Sequence, residues 1–255
     1  MSGIPFQSGI IYGPILSRRL GRSLGINLLP SGKKVCSFDC VYCQYGRTRS
    51  LTSTPNRSIL PTSSEVFQAV EKALKKPRSL DYLTFSGNGE PTIHPEFCEI
   101  VEGVKRIKDR LRPEVRLAIL SNSSRVTDPQ IRRALQMIDV PLMKLDAGDE
   151  NTFFAINQPV TGLHLNEIIQ GLQALPDLMV QSVLIDGIVS NIHGDAYEAW
   201  AVVLSRLRPS SVQIYSTERP AADGSVICVT PKRLKTIKAD LSNRFGLQVE
   251  AYWQA

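Results

Sequence analysis

Short runs rich in β-branched and aromatic residues alternate along most of the chain with longer amphipathic stretches. This alternation constrains the fold most, because strands separated by helices of ten or more residues leave room for parallel βαβ crossovers. Strands are expected at 24–29, 82–86, 116–121, 142–146, 179–185 and 212–216, with a last one at 248–253. Helices are expected at 63–76, 95–111, 129–138, 165–175, 195–207 and 231–245. The first opens on the N-cap pattern Thr62-Ser63-Ser64-Glu65, and Pro95 and Pro129 sit in first turns, where proline is tolerated. Six βα units and a terminal strand fall short of the eight of a closed TIM barrel. They predict an α/β chain built as a partial, open (β/α)6 barrel of parallel strands. One domain over residues 1–255 is expected, with an N-terminal extension at 1–23, a barrel core at 24–216 and a C-terminal helix–strand extension at 217–255. In such architectures ligands bind at the carboxyl ends of the strands, so the loops after each strand are where chemistry is sought.

The loop after the first strand holds Cys36-Ser37-Phe38-Asp39-Cys40-Val41-Tyr42-Cys43. The chain has five cysteines, the others being Cys98 and Cys228. An odd count with uneven spacing does not suit a secreted disulfide framework. With 255 residues, 42% of them hydrophobic, the chain can bury a core without disulfides. Residues 1–10 lack the basic-then-apolar order of a secretory leader, and no run of about 18 apolar residues suggests a membrane span. A cytoplasmic protein is therefore expected, and in that reducing compartment clustered cysteines point to metal or redox chemistry.

Three thiols within eight residues suit an iron–sulfur cubane, in which each iron usually takes one protein thiolate. Three cysteines leave one iron open to a small molecule. Structural zinc is the alternative, but it usually takes four ligands, and no second cysteine pair follows. Histidine is confined to His94, His164 and His193, of which His94 is the candidate for a fourth ligand. Cys98 falls in an expected helix beside Ile100 and Val101 and reads as a small buried hydrophobe. Cys228 lies in an expected loop or edge segment, with a substrate-facing thiol as the alternative.

The CxxxCxxC spacing of Cys36, Cys40 and Cys43, with Tyr42 just before the last cysteine, resembles the signature of the radical SAM superfamily. The resemblance implies a [4Fe-4S] cluster on these three cysteines. It also implies S-adenosylmethionine as cofactor, reductive cleavage to a 5′-deoxyadenosyl radical, and adenine contact through the backbone of Tyr42. A second motif, Ser86-Gly87-Asn88-Gly89-Glu90-Pro91-Thr92, follows the second expected strand. Glycines after a strand let backbone approach a ligand closely, and Glu90 supplies an acceptor for an ammonium group. It resembles the family's GGE turn, with Asn88 inserted, which implies a seat for the methionine amino group. Ser121 and Asn122 end the third strand, where the resemblance implies ribose or carboxylate contact. Asp186, Gly187 and Ile188 end the fifth, with Ile188 as the apolar residue for adenine. Lys144 and Asp146 share one face of the fourth strand by period-two alternation. They form either a buried ion pair or a catalytic, substrate-side pair. Tyr215, Glu218 and Arg219 follow the sixth strand and face substrate or serve structure.

The segments at 12–26, 144–149 and 156–159 resemble the group that contains the wyosine-type tRNA synthases. Those enzymes carry a second cluster on cysteines upstream of the motif, and this chain has no cysteine before Cys36. A different or simplified reaction is expected. Residues 1–60 hold Arg18, Arg19, Arg22, Lys33, Lys34, Arg47, Arg49 and Arg57 against Asp39 alone, a net +7 in a chain of net +6. That charge is either a solvated face or a positive mouth. The expected partners are a reducing flavodoxin or ferredoxin and an anionic small-molecule or peptide substrate, with tRNA as the alternative. A non-enzymatic electron carrier would not require the 87–90 turn.

Overall fold

The computed structural model describes residues 3–253. Met1 and Ser2, at the start of the stretch read for a leader, lie outside the described residues, as do Gln254 and Ala255 at the end of the C-terminal extension. The chain resolves into two compact units.

One unit comprises residues 6–37 and 49–142. It contains β1 (Ile11–Ser17), β2 (Gly21–Ile26), β3 (Val35–Cys36), β4 (Ser50–Leu51), α1 (Ser63–Leu74), β5 (Tyr82–Phe85), α2 (Phe97–Leu111), β6 (Arg116–Ser121), α3 (Pro129–Gln136) and most of β7 (Val140–Lys144). β2, β5 and β6 run parallel, with Leu24 beside Leu83 and Leu83 beside Leu117, all three fully buried. Helix α1 begins in a full capping box, in which Thr62 accepts from the Glu65 amide and Glu65 accepts from the Thr62 amide. The expected first strand is displaced by three residues. It starts at Gly21 and stops at Ile26, because the Asn27 side chain turns the chain by bonding both the amide and the carbonyl of Leu29. The expected N-terminal extension is in part β1, which pairs antiparallel with β2.

The second unit comprises residues 3–5, 38–48 and 143–253. It adds α4 (Glu150–Asn157), α5 (Leu165–Gln173), β8 (Met179–Val183), β9 (Ile185–Gly187), α6 (Gly194–Leu207), β10 (Ser211–Tyr215), β11 (Val226–Cys228), α7 (Pro231–Phe245) and β12 (Val249–Tyr252). β10 is parallel to both β8 and β12. Its Val212 and Ile214 are fully buried, and Gln213 and Tyr215 alternate with them on the opposite face. β9 and β11 form a separate antiparallel ribbon. The expected loop at 217–229 thus contains an edge strand, and the expected fifth strand is broken after Val183. In hydrogen-bonding order the strands of the first unit run β1-β2-β5-β6-β7 and those of the second β8-β10-β12. After β1 this order is sequential, apart from the small strands that pair elsewhere. It is the strand order of a partial (β/α)6 TIM-like barrel.

Trp200 on α6 is fully buried and donates its indole N–H to the Leu145 carbonyl at 3.0 Å. The Ser182 hydroxyl donates to the same carbonyl. Leu145 lies between Lys144 and Asp146, so these donors hold both polar side chains in register. Trp200→Phe leaves a gap and removes one donor, and is expected to cost about 1–3 kcal/mol. At this chain length that corresponds to a fall in Tm of about 2–4 °C per kcal/mol, read by calorimetry.

Candidate metal centre

In the first unit the Gly-rich turn and the first cysteine are tied together by backbone. The Val35 amide donates to the Asn88 carbonyl at 2.9 Å, and the Glu90 amide donates to the Val35 carbonyl at 3.3 Å. Gly89 has φ +142°, and a Cβ there would lie 1.7 Å from the Val35 carbonyl oxygen. No other residue fits, so this glycine serves the approach of the cysteine-bearing strand. Asn88 is fully buried. Its side-chain nitrogen donates to the carbonyls of Gln7 and Pro30, and its oxygen accepts from the Gln7 amide, all at 2.8 Å. The insertion into the turn therefore anchors neighbouring chain. Gly87 lies against Asn27, whose side-chain oxygen accepts from the Asn88 amide.

Glu90 is buried, and its carboxylate accepts from four donors: the Thr92 amide and hydroxyl, the Ser121 hydroxyl and the Asn122 amide. Burial pushes its carboxyl above the ordinary range, and these hydrogen bonds pull it back. The Asn122 side-chain nitrogen lies 3.6 Å from Cys36 Sγ and 2.9 Å from Ser37 Oγ, while its oxygen accepts from the Ser124 amide.

In the second unit the segment carrying Cys40 lies against the end of α4. The Asp39 amide donates to the carbonyls of Asn157 and Gln158, and the Val41 amide to that of Ile156. Asn157 Nδ2 lies 2.8 Å from Asp146 Oδ2, 3.2 Å from Tyr42 Oη and 3.5 Å from Cys40 Sγ. The Tyr42 hydroxyl donates to Asp146 Oδ2, and the Val183 amide donates to Asp146 Oδ1. Lys144 and Asp146 do share a face. Lys144 Nζ stands 3.8 Å from Asp146 Oδ1, 5.2 Å from the Tyr42 ring centre and 5.9 Å from that of Tyr215. Burial, then Asp146, then Cys43 push the Cys40 thiol up to about 11, and burial with Asp146 raises the Tyr42 phenol. Cys43 is half-buried, and its amide donates to the Cys40 carbonyl.

Asp186 sits in the ribbon strand β9, where it accepts from the Gly187 amide and lies 3.3 Å from His193 Nε2. Ile188 follows that ribbon and is 87% exposed. The two residues thus lie beyond the break after Val183, and neither ends the fifth barrel strand. Cys98 is half-buried rather than buried, because its place in α2 is at the margin of the packed face, and Cys228 is exposed on β11. His94 is engaged by the Pro61 carbonyl through Nε2 and by the Glu96 amide through Nδ1. Three of the basic residues in the first sixty are ion-paired: Arg22 with Asp81, Arg47 with Asp39 and Asp223, and Arg57 with Glu96.

Sequence reasoning missed Asn157 as a site residue. It lies in the 156–159 segment, and its helix carried a readable start signal, since Asp149 caps α4 by accepting from the Thr152 amide.

The donor set fits a cubane. Each of two buried cysteines has a side-chain amide nitrogen within hydrogen-bonding reach of its sulfur, an arrangement suited to a thiolate. Among the described residues no three His, Cys, Asp or Glu side chains gather as they would around a single ion. A cubane instead spreads its thiolates over separate irons.

The family model of the radical SAM superfamily matches residues 33–194. A UPF0026 protein of Synechocystis sp. is 32% identical over 212 residues, covering 82% of this chain and 76% of its own length. Among solved structures, a radical SAM methyltransferase from Sphaerobacter thermophilus superposes with a TM-score of 0.62 at 19% identity, over 90% of this chain and 65% of that one. TYW1 with a lysine–pyruvate adduct bound superposes with a TM-score of 0.57 at 13% identity, over 87% of this chain and 73% of that one. At these identities both likenesses are of fold.

Proposed function

Because this chain belongs to the radical SAM superfamily, and is an enzyme using a [4Fe-4S] cluster and S-adenosylmethionine, we propose that Cys36, Cys40 and Cys43 hold the cluster and that the substrate is an anionic small molecule or peptide. The observation that carries the site assignment is the grip of the 87–90 turn on Val35, which joins the two sequence motifs by hydrogen bonds. With the cluster and S-adenosylmethionine bound, these residues would hold groups that supply one-electron reductive cleavage of S-adenosylmethionine and, from it, hydrogen abstraction from the substrate. Gly87, Gly89, Glu90, Ser121 and Asn122 receive the methionine end and Tyr42, through its backbone, the adenosine, with Asp186 and Ile188 offered from the β9 ribbon and the residue after it rather than from the end of a barrel strand. Asn88 acts there through its backbone, since its side chain is engaged within the chain.

Lys144, Asp146 and Tyr215 form the substrate side. Asp146 shares its charge with the Tyr42 hydroxyl, the Asn157 amide and the Val183 amide. Lys144, ion-paired with Asp146 at 3.8 Å, stands over the rings of Tyr42 and Tyr215 and is the cation assigned to meet the anionic substrate. An acidic flavodoxin or ferredoxin supplies the electron. A tRNA substrate is the second reading, favoured by the basic first sixty residues; the ion pairs of Arg22, Arg47 and Arg57 weigh toward the smaller substrate.

Anaerobic reconstitution with dithionite and S-adenosylmethionine tests the chemistry. 5′-Deoxyadenosine is expected, and the absence of any cleavage fragment overturns the reading. Adding tRNA separates the substrate classes. Salt-sensitive binding that accelerates cleavage favours RNA, whereas unchanged cleavage favours the small substrate.

A further inference from the structure

Two buried asparagines from different parts of the chain each bring a side-chain nitrogen to the sulfur of a motif cysteine. Asn122, at the end of β6, lies 3.6 Å from Cys36 Sγ, and Asn157, at the end of α4, lies 3.5 Å from Cys40 Sγ. Both are nine-tenths or more buried, so little water competes for the sulfurs. Both are also fixed from the side. The Asn122 oxygen is held by the Ser124 amide, and its nitrogen also reaches Ser37 Oγ. The Asn157 nitrogen is shared with Asp146, whose other oxygen is held by the Val183 amide. Each side-chain nitrogen carries two N–H groups, so a bond to Ser37 Oγ or to Asp146 leaves a second N–H on the side of the sulfur, which in Asn157 also lies 3.2 Å from Tyr42 Oη.

We propose that Asn122 and Asn157 are positioning residues that set the reduction potential of the cluster, each by donating an N–H to the sulfur of one cysteine ligand. This rests on the cluster assignment above. The physical argument is general. Adding an electron to a cubane raises the negative charge on its sulfurs, and a fixed N–H stabilises the reduced form more than the oxidised form. The two donors therefore make the cluster easier to reduce. Asn157 has a further consequence, because its amide is shared between Cys40 and the carboxylate beside Lys144. A change in the charge at Lys144 and Asp146 would reach the cysteine sulfur through one side chain.

The test is a potentiometric titration of the reconstituted enzyme followed by electron paramagnetic resonance. Asn122→Leu and Asn157→Leu keep the approximate volume and remove the donor. Each is expected to make reduction about tenfold less favourable, which for one electron is a midpoint lower by about 59 mV. Asn→Ser at the same positions retains a hydroxyl donor and should fall between wild type and leucine. A role in packing alone would lower iron content and leave the midpoint of the loaded fraction unchanged, and that result overturns the proposal. The wild-type chain provides a second readout that needs no variant to fold. Enzyme carrying 15N only in asparagine side-chain amides, once reduced, should show weak nitrogen coupling to the cluster by pulsed resonance, and no coupling overturns the proposal. A wild-type chain that fails to load any cluster overturns the parent assignment, and a loaded wild type with unmoved variants overturns only this one.

Discussion

Cys40→Ala is expected to abolish both the cluster and the chemistry. Iron should fall from about four atoms per chain to a small residue, since a cubane with two protein thiolates is poorly held. The brown chromophore and the 5′-deoxyadenosine should be lost together. The folded chain is expected to survive the change. Cys40 Sγ is met by the Asn157 side-chain nitrogen and the Tyr42 hydroxyl, both of which keep other partners, and alanine keeps the backbone bonds of the loop. Cys98→Ala and Cys228→Ala are the controls. One is half-buried in α2 and the other exposed on β11, and both should keep full iron. If Cys40→Ala retains iron and cleavage while folded, or if Cys98→Ala loses them, the three-cysteine assignment is wrong.

The second large effect is expected at Gly89→Ala. The new Cβ would meet the Val35 carbonyl oxygen at 1.7 Å, against backbone that cannot rotate away, and the residue sits at φ +142°. Overpacking typically costs about 1–3 kcal/mol, and the unfavourable φ adds about 1–3 kcal/mol more. A loss of roughly 2–6 kcal/mol is therefore expected, or a Tm lowered by about 4–24 °C. Because Val35 immediately precedes Cys36, cluster loading should fall even below the melting transition. Gly32→Ala is the comparison, since that glycine also has positive φ but no atom within 4 Å of the built Cβ. It should cost about 1–2 kcal/mol and leave iron content alone. Equal thermal shifts for the two would show that the close approach does not exist.

Much of the scaffold was legible because periodicity reports burial directly. Helix α7 and strand β6 have the expected bounds, and the Thr62 start of α1 is where its side-chain chemistry placed it. What escaped was set by contacts distant in sequence. β1 contains Gly13 and Pro14 and falls in what was expected as an N-terminal extension; it becomes a strand by pairing with β2 across an irregular register. The break after Val183 is enforced by Asn191, which donates to the carbonyls of Asp146 and Val183 and accepts from the Ile185 amide. Nothing local to residues 179–188 announces that. The candidate site was proposed from its cysteines and its Gly-rich turn, which the sequence places in separate motifs and the backbone bonds together. Its second layer was only partly legible: Asn122 was found as the end of a strand, and Asn157 was visible only as part of a familiar segment. An asparagine has many ordinary uses, and only three dimensions show which sulfur it faces.

The paired arginines bear on how this enzyme meets anything that is strongly charged. Arg22, Arg47 and Arg57 each have a carboxylate partner supplied by the chain itself. An arginine already neutralised in this way binds few mobile anions and leaves few of a polyanion's cations to be displaced. Much of the entropy that drives nucleic-acid association comes from that displacement. The formal +7 of the first sixty residues therefore overstates the thermodynamic pull. Counting Asp81, Asp223 and Glu96 with the segment lowers its formal charge from +7 to +4, so its far field is weaker than the sequence alone implies.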